Sequence, residues 1–401
     1  MVGLEIIICI LMLPFIGSSL LLCILAVGRM FYSAPKDCPS GEDAPNVAVL
    51  FAAYKNDDVI LHSVQSALKW EFQAGQFKIV VLADHLQEST LQKLNQLGVV
   101  VVKMQWEEST KIKSIKHWLN QGGSAGFSHV LTMDIDNGAP KYVLEAWYAA
   151  TTAQQRRTES QQLERTSESI ETRVGFMDQF SENWNNRLFR EGAEGWGANP
   201  ALIGSGLIMP ASDFKSFHET IDAVGGYDKQ LEVDFILAGH RVRYLKGIQV
   251  LDEKVEFADH MQNQRKRWLA AQFFFLRKYL FKSLQLVFTR PQLFFKVCQY
   301  ALVPKVILFL ISGLSLSYFL FNWLCNLNLP LVQSVVLLNL GLLILTMSLS
   351  FSLRDLFRLI PHLLLIGPKL VVVYAAALLK IKGANKKFIH TPHHVKNNKD
   401  A

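Results

Sequence analysis

From Ile6 to Gly28 the chain carries no charged residue. A helix of that length crosses a bilayer. Two further apolar runs, roughly Leu302–Leu324 and Leu331–Phe351, have the same character and are joined by Asn326-Leu-Asn-Leu-Pro330. Half of the 401 residues are apolar and only 19% are charged, too apolar for an ordinary soluble enzyme of this length. Glu5 precedes the first run, and Arg29 and Lys36 follow it. The positive-inside rule then places the N-terminus outside and the next domain in the cytoplasm. No basic stretch precedes the run, so a cleaved signal peptide is not expected.

A third apolar segment, Leu359–Leu379, contains Pro361, His362, Pro368 and Lys369, and a lysine-rich tail follows from Lys380. A basic tail belongs in the cytoplasm. Two crossings after a cytoplasmic domain return the chain there, whereas three do not. Leu359–Leu379 is therefore expected to be kinked and re-entrant or interfacial; if it spans, a further crossing is needed within Leu293–Val306. Before these spans, polar residues at Lys278, Lys282, Gln285 and Thr289 form one stripe on a Phe- and Leu-rich stretch, the pattern of a helix lying in the headgroups. The expected organisation is 1–30 transmembrane, 46–268 soluble domain, 269–290 interfacial helix, 302–324 and 331–351 transmembrane, 359–379 re-entrant, interfacial or transmembrane, and 380–401 tail. That makes it a multi-pass protein of the cell inner (plasma) membrane.

The net charge of +7 collects near the apolar segments, which points to anionic headgroups of membrane lipids rather than nucleic acid. No pair among the five cysteines has zinc spacing, and they read as packing residues. His390, His393 and His394 read as part of a basic tail rather than a metal site.

Between Asn46 and Asp259 short β-branched runs, Val47–Ala53, Lys78–Asp84, Val99–Lys103 and His129–Asp134, alternate with helix-like stretches. That pattern predicts an α/β domain with a mostly parallel, Rossmann-like sheet covered by helices. Ligands of such sheets bind at the carboxyl ends of the strands, and Tyr54, Asp84 and Asp134 sit at those ends. Residues 141–190 read as helical and polar, a solvated helix pair over one face.

Asp134 and Asp136 follow a buried-strand pattern, and two carboxylates two positions apart can share a Mg2+ or Mn2+ that neutralises a diphosphate. They can equally be solvated loop residues. Asp84 either meets a ligand or caps a helix over Gln87–Leu97. The glycines of Gly204-Ser205-Gly206 allow close approach to a ligand or a tight turn. In Gln264-Arg265-Lys266-Arg267-Trp268, cations and an indole border the apolar third. They can hold a sugar diphosphate and glycan, or snorkel and anchor at the lipid boundary.

Taken in order, these residues resemble the membrane-integrated family-2 glycosyltransferases, whose cellulose, hyaluronan and chitin synthases share a GT-A domain and a Gln-x-x-Arg-Trp motif. The resemblance runs from Val47 to the tail. Phe51-Ala-Ala-Tyr-Lys55, with Asp57, resembles the nucleotide-entry strand and loop, and Val80–Asp84 the strand whose Asp contacts the nucleoside. Lys111-Ile-Lys-Ser114 looks like the basic segment near the diphosphate, with Lys113 the better candidate. Met133-Asp-Ile-Asp136 stands where the family has Asp-Ala-Asp, so Asp134 would touch the donor and Asp136 the metal. Leu202–Gly206 is similar to the acceptor-side loop. Gln264, Arg267 and Trp268 match the final motif, and Phe388-Ile-His-Thr-Pro392 resembles a stretch found after the last membrane segment.

One departure stands out. The family has a Glu-Asp pair whose Asp is the general base, and this chain has none there. Counting back from Gly239 places Tyr227-Asp228 on the pair; Asp234 is the fallback. The resemblance implies an inverting transfer from a nucleotide sugar, UDP-linked by preference, onto a growing glycan. A lipid-linked acceptor taking one sugar is the second reading. The third is a non-catalytic subunit that binds nucleotide sugar within a synthase complex, which the missing Glu supports.

Overall fold

The computed structural model describes residues 2–38, 44–167, 170–223, 225–254, 258–324 and 330–380. Cys325, the linker before Pro330, and the basic tail with Phe388–Pro392 and its histidines lie outside the described residues. The chain divides into two compact units. The described residues of the first fall within Ser33–Ile170 and Asn199–Lys254; the second comprises Met1–Tyr32, Glu171–Ala198 and Val255–Lys382.

The first unit is built on a seven-stranded sheet. Its strands are β1 (Asn46–Tyr54), β2 (Gln76–Asp84), β3 (Val100–Met104), β4 (His129–Met133), β5 (Glu159–Ser167), β6 (Leu207–Pro210) and β7 (Arg241–Asp252), ordered β3-β2-β1-β4-β6-β5-β7. β3, β2, β1 and β4 run parallel. Their near-continuous apolar sequences suit strands covered on both faces. Val47, Val49 and Phe51 pack with Ile60, Val64 and Trp147, while Ala48 and Leu50 on the other face are buried as well. β6 runs antiparallel to both β4 and β5, and β5 pairs parallel with β7.

The helical reading of 141–190 is corrected at β5. Ser160, Gln161 and Gln162 are fully buried strand residues. Their polarity is satisfied inside the sheet unit. The Gln161 carbonyl accepts from Trp147 Nε1 at 3.3 Å and its amide donates to the Glu159 carbonyl at 2.8 Å. Gln162 donates to the Ser205 carbonyl at 2.9 Å and accepts from the Ile203 N–H at 3.1 Å. Buried amides with all partners in place are tolerated in a core, and a polar sequence alone does not reveal them.

The second unit is helical. Its long helices are Val2–Gly28, Ala258–Gln285, Lys305–Leu324, Pro330–Ser350 and Leu353–Leu379. Four candidate spans, Glu5–Phe31, Lys305–Leu324, Pro330–Ser350 and Leu353–Leu379, are long and apolar enough to cross a membrane. Leu359–Leu379 belongs to one helix that starts at Leu353 and contains Pro361 and Pro368. Within Leu293–Val306 lies the end of a helix, Pro291–Tyr300, of 10 residues, half the length a crossing needs. Gln264–Trp268 and the Phe-rich stretch after it share the single helix Ala258–Gln285.

Two devices join these helices. Asn339 accepts from Ser19 at 2.7 Å and donates to Ser312 at 2.9 Å, so one buried amide links the Val2–Gly28, Lys305–Leu324 and Pro330–Ser350 helices. Such bonds hold apolar helices together where water gives no drive. The second device is backbone contact. A Cβ built on Gly192 meets the Leu25 carbonyl oxygen, and one on Gly28 meets the Gly192 carbonyl. Only glycine permits that approach. Gly192→Ala is expected to cost about 1–3 kcal/mol, the range for overpacking, read as a lower melting temperature of the purified protein. Gly313→Ala, where an added Cβ meets nothing within 4 Å, is expected to leave it nearly unchanged.

Candidate functional site

The parallel register sets Tyr54 beside Asp84 and Asp84 beside Met104, so one edge of the sheet gathers the strand ends. Asp84 is buried. Its Oδ1 accepts from His85 Nδ1 at 2.6 Å and from the Trp106 N–H at 3.3 Å. Its Oδ2 is buried with no partner among the described residues. Asp84 does not cap the following helix: that helix is Glu88–Gln96, with Gln87 at the cap, and the Gln87 N–H donates to Asp57 at 2.8 Å. Lys55 (φ 53°) and His85 (φ 58°) directly follow β1 and β2 in the left-handed region, a conformation that costs a non-glycine residue energy and clusters at functional sites. The His85 ring meets Tyr54 edge-on at 5.7 Å.

β4 ends at Met133, and the antiparallel β6 begins beside it, with Leu207 opposite Thr132. The Gly206 N–H donates to the Thr132 carbonyl at 2.7 Å, and the Asp134 N–H donates to Ser205 Oγ at 3.0 Å. Both glycines of the loop turn through positive φ, 80° at Gly204 and 64° at Gly206, and a Cβ on Gly206 lies 2.9 Å from Val250. The Ser205 hydroxyl donates to Asn137, whose amide donates to Asp252 at 3.2 Å. The loop thus locks onto the Asp134–Asn137 turn. Asp134 and Asp136 are both partly exposed. No third His, Cys, Asp or Glu joins a ligand cluster among the described residues.

The cation in this group is Lys111. Its ammonium lies 2.5 Å from Asp134 Oδ1 and donates to the Gly204 carbonyl at 2.8 Å. Burial opposes its charge, but Asp134 and Tyr227 outweigh burial and hold its pKa above the ordinary lysine value. Lys113 points elsewhere and donates to the Glu108 carbonyl at 2.7 Å. The choice between them was not legible in sequence: Lys111 is the first residue of the helix Lys111–Asn120 and Lys113 the third, with the Lys113 N–H bonded to the Thr110 cap.

The helix Tyr227–Ala238 brings its first turn to the same loop, with the Tyr227 hydroxyl donating to the Gly204 carbonyl at 2.7 Å. Burial pushes that phenol up to about 12, against the pull of Lys111. Asp228 follows on the helix. Burial raises its carboxyl pKa, Lys229 works against the shift and Glu232 adds to it. Glu232 accepts from the Leu202 N–H at 2.7 Å and so fixes the approach to the loop. Asp234 is six residues on from Asp228, about 9 Å along the axis. Behind Tyr227 lies the fully buried His218, stacked on Phe214 with ring centroids 3.9 Å apart. Its Nδ1 donates to the Phe214 carbonyl at 2.8 Å, and its Nε2 has no partner among the described residues. Burial first, and Lys111 as well, push its pKa down to about 4.

Gln264, Arg267 and Trp268 belong to the helical unit. Gln264 Oε1 is buried without a partner among the described residues. Trp268 is 38% exposed. One side of its indole carries the Arg265 guanidinium, 4.3 Å from the ring centroid. Arg265 is itself buried and paired with Asp178.

The sequence matches no protein-family model. No curated protein matches it either. Solved structures do match. A mannosyltransferase from Pyrobaculum calidifontis, in complex with GDP-Man and Mn2+, aligns over 94% of this chain and 98% of its own with a TM-score of 0.54 at 13% identity. At that identity the match shows a shared fold. TarS from S. aureus aligns over 54% of this chain and 38% of its own, with a TM-score of 0.37 at 17% identity, which is too loose to carry an argument.

The lowered His218 pKa has a definite sign. The unfolded chain takes up the proton near the ordinary histidine value of 6.5 and the folded chain only near 4, so stability is lost as pH falls through that window. The loss between pH 7 and pH 5 is about 2 kcal/mol. His218→Phe keeps the stacking and removes the titration, and its melting temperature is expected to fall less between those two pH values than that of the parent protein.

Proposed function

We propose that the chain is a membrane-bound glycosyltransferase that moves a sugar from a nucleoside-diphosphate donor onto a growing polysaccharide, with inversion. One observation carries this reading. A single edge of the sheet collects Tyr54, Asp84 with its unpartnered oxygen, Asp134, the Gly204–Gly206 loop and the first turn of the Tyr227–Ala238 helix. In this reading Asp84 accepts a hydrogen bond from the nucleobase of the donor, a UDP-sugar by the sequence resemblance. A buried acceptor left unmade costs about 1–3 kcal/mol, so a donating N–H there is favoured. Tyr54 borders the same sheet edge, beside Asp84. Gly204, Ser205 and Gly206 line the acceptor side.

The acceptor hydroxyl attacks the anomeric carbon as the bond from that carbon to the diphosphate oxygen breaks. Asp228 takes the hydroxyl proton. A carboxylate whose pKa is raised by burial is a stronger base than a solvated one, and Asp228 stands one residue from the tyrosine that touches the loop. Asp234 lies about 1.7 turns away, on another side of the helix. Lys111 supplies positive charge toward the leaving diphosphate; Lys113, the candidate by resemblance, would have to leave the Glu108 carbonyl to add to it.

The residues fit a divalent ion of one kind. Asp134 and Asp136 offer two carboxylates and no further acidic, His or Cys ligand among the described residues. That supply suits Mg2+ or Mn2+ completed by water and phosphate oxygens, and Asp136 would hold it. The bound ion would neutralise charge on the departing diphosphate. The resemblance assigns Gln264, Arg267 and Trp268 to the acceptor sugar and the diphosphate. In this reading the sheet unit faces the cytoplasm, which Arg29 and Lys36 after the first span support.

The test uses the full chain in nanodiscs with a panel of nucleotide sugars and Mg2+ or Mn2+, following released nucleoside diphosphate. One donor is expected to turn over. Asp228→Asn is expected to cut that turnover by about 10²–10⁴-fold, the size of a general-base contribution, with Asp234→Asn within a few-fold of the parent protein. Asp136→Ala is expected to abolish the metal-dependent part. Turnover unchanged in Asp228→Asn overturns the assignment of the base. Sizing the product then separates a polymer from one added sugar on a lipid.

A further inference from the structure

The Lys111 ammonium touches both a candidate metal-binding carboxylate and the loop on the acceptor side. The ammonium is shared between Asp134 Oδ1 at 2.5 Å and the Gly204 carbonyl at 2.8 Å, and it faces the Tyr227 ring at 5.8 Å. Its side chain is 18% exposed against 40% for Asp134, so the cation sits beneath the carboxylate rather than in solvent. Two carboxylates, Asp134 and Asp136, are all that the described residues offer a divalent ion here. With the lysine in place, Asp134, Asp136 and Lys111 carry one net negative charge instead of two. At the same edge the Oδ2 of buried Asp84 has no partner among the described residues.

We propose that Lys111 makes metal binding conditional on the nucleotide. Resting on the glycosyltransferase reading, the inference is that the site is a poor one for a bare divalent cation and a good one for a metal–nucleoside diphosphate complex. A divalent ion arriving alone meets one compensated carboxylate and an ammonium of like charge close by. A nucleoside diphosphate brings its own negative charge and phosphate oxygens. It completes the coordination shell that two carboxylates leave open, and it offers the ammonium an anionic partner in place of Asp134. Lys111 then passes from Asp134 to the diphosphate, keeping a charge-assisted hydrogen bond throughout. Because the same ammonium holds the Gly204 carbonyl, the exchange also reaches the loop on the acceptor side.

The experiment is a titration of the full chain in nanodiscs with Mn2+, read by electron paramagnetic resonance of the free ion, with and without UDP. UDP binding is measured separately by calorimetry. In the parent protein Mn2+ is expected to bind at least tenfold more tightly with UDP present than alone. Lys111→Met is expected to tighten binding of Mn2+ alone at least tenfold, and Lys111→Arg, which keeps the charge, to leave it within about threefold. Mn2+ binding by the parent protein that is equally tight with and without UDP overturns the proposal without any variant being needed. So does Lys111→Met binding Mn2+ alone no more tightly than the parent while still binding UDP. Failure of the parent protein to bind UDP, or GDP in its place, under any metal condition overturns the glycosyltransferase reading itself.

Discussion

β6 lies antiparallel to β4, with Leu207 opposite Thr132, and therefore begins where β4 ends. A parallel strand in that place would begin at the opposite edge of the sheet. The reversal brings Gly204, Ser205 and Gly206 to the edge that already holds the ends of β1, β2 and β4. Once there, the loop is fixed by backbone and side chain together. Gly206 binds Thr132, Ser205 binds both the Asp134 N–H and Asn137, and Gly204 receives Lys111 and Tyr227 on its carbonyl. Three segments distant in sequence, at Lys111, Thr132–Asn137 and Tyr227, meet at that loop. The helix bearing Asp228 is positioned through Tyr227 and Glu232, both bonded to the loop or its approach. The geometry of the candidate base thus follows from a strand direction.

Polar burial is handled in two opposite ways in the sheet unit. In β5, Gln161 and Gln162 are buried with their amides partnered on both atoms, which makes them structural. At the edge, Asp84 Oδ2 and His218 Nε2 are buried and lack partners among the described residues. Each such atom costs about 1–3 kcal/mol. Asn46 Oδ1, Trp70 Nε1 and Ser109 Oγ in the same unit are open as well, so an open atom alone does not mark a site. What sets Asp84 and His218 apart is position: Asp84 at the end of β2, and His218 behind the tyrosine that touches Gly204.

The sheet was legible because its parallel strands are apolar on both faces and end in polar residues. Val47–Ala53 and Lys78–Asp84 announce both their type and the edge where ligands gather. β5 was hidden for the converse reason. Glu159–Ser167 has no apolar period, and its burial rests on hydrogen bonds to residues such as Trp147 and Ser205 that only the fold brings near. Lys111 and Lys113 illustrate a finer limit. Both stand in the first turn of one helix, and two positions there are about 200° apart around the axis. Which of them faces Asp134 depends on the angle at which that helix leaves β3, a quantity no spacing encodes. In the helical unit, apolar length revealed the candidate spans. Nothing in the sequence showed that Gln264–Trp268 and the stretch after it form one uninterrupted helix.

The chain leaves the sheet unit after β5, runs through Glu171–Ala198 in the helical unit, and returns for β6. That excursion includes a π-helical stretch, Asn186–Gly192, continuing the helix Arg173–Asn185. Wider turns of this kind are rare and place side chains at angles an α-helix does not offer. Here Arg187 reaches the Ser350 carbonyl at 2.5 Å, Arg190 meets Glu182 at 2.9 Å, and Glu191 holds Arg29 at 2.8 Å. Arg29 in turn donates to the Leu349 carbonyl at 2.8 Å. Two guanidiniums therefore cover the last carbonyls of the Pro330–Ser350 helix, where the helix dipole favours positive charge. The glycine contacts at Gly28 and Gly192 allow the backbones to approach closely enough for these pairs to form. An apolar run makes a helix long and apolar enough to cross a membrane, but its partners are chosen by a few residues such as these. In this protein they come from the segment that the chain inserts between two strands of its sheet.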